Sequence, residues 1–139
     1  MRVPERLLLA LAVAVLAPGT SVSAQHSGGS SVLSVKSGVY TTVQAQRGSD
    51  VYALKCRSCH TPETHTGLIF DTWWGGKLVY DLFEYVQERM PKNEPGSLTP
   101  EESVDVIAYI FRMNKLPTGT EELSTDVALL RKIRIDKAK

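Results

Sequence analysis

Cys56-Arg57-Ser58-Cys59-His60 confines what this chain can fold into more than any other stretch, because it uses both cysteines and sets an imidazole directly behind the second. Whatever surrounds the pentapeptide has to serve two thiols and a histidine at once. A thioredoxin-like redox pair needs a βαβ surround, and no strand-like alternation flanks this one. A zinc site normally needs a second pair of ligands, which His26 and His65 do not supply at a suitable spacing. In an oxidising compartment the bland fate of two such thiols is a disulfide.

The N-terminus indicates the compartment. Met1 to Ala24 opens with Arg2 and Arg6, runs through the apolar stretch Leu7 to Leu16, breaks at Pro18-Gly19 and closes on Val22-Ser23-Ala24. This is the pattern of a secretory signal peptide with a small-residue cleavage site. Its apolar run is shorter than the roughly 18–20 residues that span a bilayer as a helix. The expectation is cleavage after Ala24 and a soluble periplasmic protein with no membrane span. The signal contains Arg2, Arg6 and Glu5, so removing it takes the formal charge from +1 to zero. A neutral chain of about 115 residues has room for one small domain and gives no support to nucleic-acid binding.

In an exported chain with no other cysteine, C-x-x-C-H on a short helical turn points to covalent haem attachment. Two thiols can add to the vinyl groups of one porphyrin while the adjacent imidazole reaches the iron. Iron held by one histidine has an opposite face, for which the candidates are Met90, Met113 and His65. Met90 stands in Arg89-Met90-Pro91, where the proline stops the preceding helix and leaves the thioether in a loop. Met113 ends a segment whose apolar faces are needed for packing. His65 follows His60 too closely for a short loop to cross to the far side of a ring. Met90 is therefore the expected ligand, and a thioether favours ferrous iron relative to an imidazole.

Helical spacing is expected over about 44–55, 78–89 and 100–113. In the first, Gly48 and Tyr52 lie one turn apart, and a glycine inside a helix suggests close approach of a neighbour. The last has Thr99 as N-cap, Pro100 at the first helical position, Glu102 to complete a capping box, and Val104, Ile107, Ala108 and Phe111 as an apolar stripe. Gln25 to Gly38, rich in serine and glycine, reads as a flexible tether, and Phe70 to Gly76 as an aromatic loop. The basic C-terminal stretch, with Leu129, Leu130, Ile133 and Ile135 among its charges, is expected to pack back on the domain.

Gly48 and Tyr52 ahead of Cys56-Arg57-Ser58-Cys59-His60, then Met90-Pro91, then a capped helix ending in Val106-Ile107-Ala108-Tyr109-Ile110, resemble a small class I c-type cytochrome. Val39-Tyr40-Thr41, Gln44-Ala45, Arg47-Gly48, the Phe70 to Gly76 segment, Leu82-Phe83-Glu84-Tyr85-Val86, Met90-Pro91, Pro95-Gly96-Ser97-Leu98, Asn114, Pro117, Gly119 and Glu122-Leu123 are similar to one branch. These are the exported monohaem cytochromes found beside quinoprotein dehydrogenases. The resemblance covers nearly the whole mature chain and implies an all-α domain over 39–139, with three main helices around one haem c. It implies that Cys56 and Cys59 hold the ring and that His60 and Met90 are the axial ligands. One departure is plain. The family usually has a proline soon after the histidine, whose carbonyl accepts a hydrogen bond from the ligand's other ring nitrogen. His65-Thr66-Gly67-Leu68-Ile69-Phe70 contains none.

There is no nucleophile elbow, Gly-rich phosphate loop or carboxylate pair in a recognisable cleft motif. The expected function is electron transfer rather than catalysis, from a quinoprotein dehydrogenase or another cytochrome to an oxidase or carrier. Two readings compete with it. A haem iron open at its sixth position would make a peroxidase or a sensor of diatomic ligands, and a Cys56–Cys59 disulfide would make a haem-free interaction domain.

Overall fold

The computed structural model describes residues 31–138, so the export segment expected over Met1 to Ala24 lies outside the described residues, as does the start of the tether. In chain order the elements are β1 (Leu33–Ser34), a 3-10 turn (Val35–Ser37), α1 (Thr42–Lys55), a second 3-10 turn (Pro62–His65) and α2 (Gly67–Trp74). They continue with α3 (Val79–Arg89), α4 (Pro100–Met113), α5 (Val127–Leu130) and β2 (Ile133–Arg134). The all-α reading of a small cytochrome c fold holds, with one short parallel pair, β1 on β2, added to the helices.

Local chemistry explains where the main helices begin. The Thr41 hydroxyl accepts from the Gln44 N–H at 3.1 Å and starts α1. At α4 the capping box is complete: Thr99 Oγ1 accepts from the Glu102 N–H at 3.1 Å, and Glu102 Oε2 accepts from the Thr99 N–H at 2.9 Å. Each such bond satisfies an N–H that the first helical turn would otherwise leave without a partner. At α3 the Asp81 carboxylate accepts from the Leu78 N–H at 2.9 Å, and the helix stops at Met90, ahead of Pro91.

The most extensive packing is α1 across α4. A Cβ on Gly48 would stand 1.7 Å from the Asp105 carbonyl oxygen, so the helices meet backbone to backbone at a point where only glycine fits. The expected stripe, Val104, Ile107, Ala108 and Phe111, is buried throughout. Polar groups in the same crossing are paired. Buried Gln44 donates to the Leu123 carbonyl at 2.9 Å and accepts from the Leu123 N–H at 2.7 Å. Arg47 meets Asp105 through Nε and Nη2, each at 2.9 Å, and Glu122 through Nη1 and Nη2, each at 2.8 Å. One guanidinium thereby joins α1, α4 and the stretch before α5.

Two expectations need correction. Phe70 to Gly76 is not a loop, since Gly67–Trp74 is helical. Phe70 is buried with its ring centre 6.4 Å from that of Phe111, so packing on α4 overrides the poor helical preference of the aromatic and glycine residues. The tether is also shorter than Gln25 to Gly38, because 33–38 is folded: Leu33 pairs with Ile133, and Val35 is buried. The partners lie a hundred residues downstream, where composition gives no sign of them. The C-terminal stretch packs back as expected, burying Leu130, Ile133 and Ile135 while Leu129 stays exposed. Arg131 lies 3.5 Å from the centre of the Tyr80 ring, and Arg134 donates to the Gly76 carbonyl at 2.9 Å.

Gly48→Ala should destabilise the protein by about 3 kcal/mol, since overpacking here meets backbone rather than a movable side chain. Thermal denaturation should show a midpoint lower by at least about 10 °C. Hydrogen bonding from Arg47 holds the Glu122 carboxyl below its ordinary pKa. A carboxylate with a lowered folded-state pKa contributes stability above its unfolded pKa and loses it as pH falls through the folded value. Glu122→Gln should therefore flatten the decline in stability between about pH 5 and pH 3, measured by denaturant titration.

Candidate haem site

The pentapeptide begins where α1 ends. Cys56 is the residue after Lys55, and its N–H donates to the Tyr52 carbonyl at 3.0 Å, prolonging the helical ladder by one residue. The Cys59 and His60 N–H groups then both donate to the Cys56 carbonyl, at 3.1 and 3.0 Å. This tight turn gathers the thiols and the imidazole at one helix end. Both cysteines are free thiols, Cys56 half-buried and Cys59 exposed. Burial pushes the Cys56 thiol pKa up, with Lys55 opposing, so the group is held protonated at neutral pH.

Cys56, Cys59, His60 and Met90 all line one cavity of about 500 Å³. Each of α1 to α4 contributes a wall. Tyr52 comes from α1, Phe70 and Trp74 from α2, Leu82 and Val86 from α3, and Val106 and Ile110 from α4. Helical spacing explains the pairs: Leu82 and Val86, like Val106 and Ile110, are four residues apart and share a face. The rim is polar and aromatic. Lys77 Nζ lies 5.0 Å from the Trp74 ring centre, and Trp74 meets Tyr85 edge-on at 5.4 Å. Trp73 lines the cavity while 65% of its surface remains exposed.

The other two candidate ligands stand differently. Met113 is half-buried and packs against the core. His65 lines the same cavity as His60, with the ring centres 4.8 Å apart. It is a neighbour of the expected ligand rather than a group facing it. Burial, and then His60, holds the His65 pKa below its ordinary value, so its imidazole is neutral at pH 7.

The residues present fit a flat apolar cofactor with a metal centre. The cavity is largely apolar and of ordinary ligand size. The Tyr52 hydroxyl is buried without a hydrogen-bond partner among the described residues, and its pKa is pushed up to about 12, chiefly by burial. An orphaned buried hydroxyl costs about 1–3 kcal/mol, a cost that suits a site completed by something else. By contrast, the described residues gather no group of three or more His, Cys, Asp and Glu side chains of the kind a structural zinc needs.

Sequence reasoning overlooked part of this arrangement. Tyr52 was legible as a packing residue, but its unpartnered hydroxyl was not. Asn114, noticed only through the resemblance, donates from Nδ2 to the His65 carbonyl at 2.8 Å and accepts from the Gly67 N–H at 3.0 Å. The absence of proline over 65–70 is the one sequence signal that this loop is held by other means.

Residues 43–110 match the family model described as cytochrome C oxidase, cbb3-type, subunit III. Neither the curated proteins nor the solved structures compared with the chain gave a match. The matched residues run from the first turn of α1 through the pentapeptide and Met90 to Ile110, and so include most of the cavity wall. That similarity supports a c-type cytochrome, a haem electron-transfer protein, and implies covalently bound haem c with its iron as the cofactor.

Proposed function

We propose that the chain is an exported, periplasmic monohaem carrier of single electrons. In this reading Cys56 and Cys59 would hold the ring through thioethers, and His60 and Met90 would ligate the iron. The observation that supports it is the convergence of two thiols, an imidazole and a thioether on one largely apolar cavity. That donor set suits low-spin haem of the electron-transfer type.

When bound, the haem iron supplies a one-electron couple. The chain's own residues do the rest. Cys56 and Cys59 would hold the ring covalently through their sulfurs. Leu82, Val86, Val106 and Ile110 exclude water from the interior and lower the local dielectric. As an iron ligand the Met90 thioether would favour the ferrous state and would keep small ligands off the metal. Met90 is well placed for such a role as the C-cap of α3, since the side chain leaves a rigid helix just as the backbone turns away from it.

The redox partners are proteins. A periplasmic dehydrogenase or another cytochrome acts as donor, and an oxidase or carrier as acceptor. The resemblance of Leu82-Phe83-Glu84-Tyr85-Val86, Met90-Pro91 and Pro95-Gly96-Ser97-Leu98 to cytochromes beside quinoprotein dehydrogenases makes a quinoprotein the donor of choice. No helix among the described residues is long and apolar enough to cross a membrane.

Expressed in a host that attaches haem c, the protein should gain the mass of one haem per chain, and neither thiol should react with an alkylating agent. An unmodified mass would support a haem-free domain instead. The oxidised protein should show a low-spin spectrum with the weak long-wavelength methionine-to-iron band, and Met90→Ala should abolish that band. The reduced wild type should not bind carbon monoxide near neutral pH. Rapid stoichiometric binding would move the reading to a peroxidase or a sensor.

A further inference from the structure

A histidine ligand turns freely about its side-chain bonds unless something fixes its plane, and metal-bound histidines are usually oriented by a neighbour. Here 65–70 contains no proline, Pro62 follows His60 by only two residues, and the ring beside His60 is another imidazole. The His65 ring centre is 4.8 Å from that of His60, with the planes inclined at 52°. His65 is itself gripped from two sides. The Tyr52 ring stands almost perpendicular to it, with centres 5.8 Å apart. Its backbone is tied to α4, because Asn114 Nδ2 donates to the His65 carbonyl at 2.8 Å and to the Ile110 carbonyl at 2.9 Å. The Gly67 N–H completes the clamp by donating to Asn114 Oδ1 at 3.0 Å. Gly67 has a φ of +59°, and a Cβ there would meet nothing within 4 Å. The turn into α2 is thus held by its hydrogen bonds to Asn114 and not by crowding.

We infer that His65 is a positioning residue for His60, its ring packed on the ligand imidazole to set the plane of that imidazole, with Asn114 and Tyr52 fixing His65 in turn. The inference rests on His60 being an axial ligand, as proposed above. Any flat ring of similar size at residue 65 would do this, since what acts is contact. A backbone clamp placed at the end of α4 makes the orientation depend on the same helix that crosses α1 at Gly48. The ligand is therefore referenced to the most extensively packed part of the fold.

The test is proton NMR of the oxidised, haem-loaded protein, since the order and spread of the haem-methyl resonances follow the orientation of the axial imidazole plane. His65→Ala and Asn114→Ala should each change that pattern while one haem per chain is retained, and His65→Phe should keep the wild-type pattern. The inference is overturned if His65→Ala leaves the resonances unchanged, or if His65→Phe shifts them as far as His65→Ala does. Should His65→Ala fail to take up haem, Asn114→Ala and His65→Phe decide the matter by the same readout. Failure of the His60/Met90 ligation is separately visible, as a high-spin spectrum in the unsubstituted protein.

Discussion

The contact between Gly48 and the Asp105 carbonyl is what the remainder of the molecule is arranged around. Removing one side chain lets two helix backbones touch, and that single approach sets where the faces of α1 and α4 lie. Tyr52 follows Gly48 by one turn and Cys56 follows Tyr52 by another, so the crossing also aims the attachment motif. On α4 the residue after Asp105 is Val106, which with Ile110 provides cavity wall, while Ile107, Ala108 and Phe111 turn inward to the core. The Arg47 bridge to Asp105 and Glu122 closes the same junction from its solvent side.

The site depends on placing unlike elements against a surface already fixed in this way. α1 delivers thiols and an imidazole from its C-terminal end. α3 delivers a thioether from its own C-terminal end, and α2 forms an aromatic wall between them in sequence. Helix ends suit this task. The side chain of a terminal residue leaves from a rigid support, yet its backbone is released from the helical ladder and can turn. The interior side chains of the helices are then left to exclude water. The division of labour is visible in burial: the wall residues Leu82, Val86, Val106 and Ile110 are buried, whereas Cys56, His60 and Met90 are half-buried.

Short-range signals in the sequence were legible because their physics is local. The Thr99-Pro100-Glu102 start of α4 and the stop at Met90-Pro91 each follow from a few adjacent residues. The C-x-x-C-H motif is equally self-contained. What could not be read depends on partners far along the chain. Leu33 needed Ile133 to become a strand, and Phe70 needed Phe111 to hold its segment helical. His65 looked like a rejected ligand until Asn114, forty-nine residues on, showed what holds its loop. Tyr52 differs again, since its packing was evident from spacing but its missing hydrogen bond is a property of the enclosed cavity.

The pairing of β1 with β2 has a mechanical meaning. Leu33 donates to the Lys132 carbonyl at 2.7 Å, so the first and last ordered stretches of the described chain are fastened to each other. Val35 and Ile135 are buried just inside the fastening. The last stretch is sewn in turn to the approach to α3, where Ile135 donates to the Lys77 carbonyl and Gly76 donates to the Ile135 carbonyl. A pull on the chain ahead of residue 33 is therefore borne first by this pair of strands and its buried anchors, and the load is shared with the C-terminal stretch before any of it reaches α1. Anything that drags on the N-terminal side meets a strain relief, and the helix that carries the cofactor motif is spared.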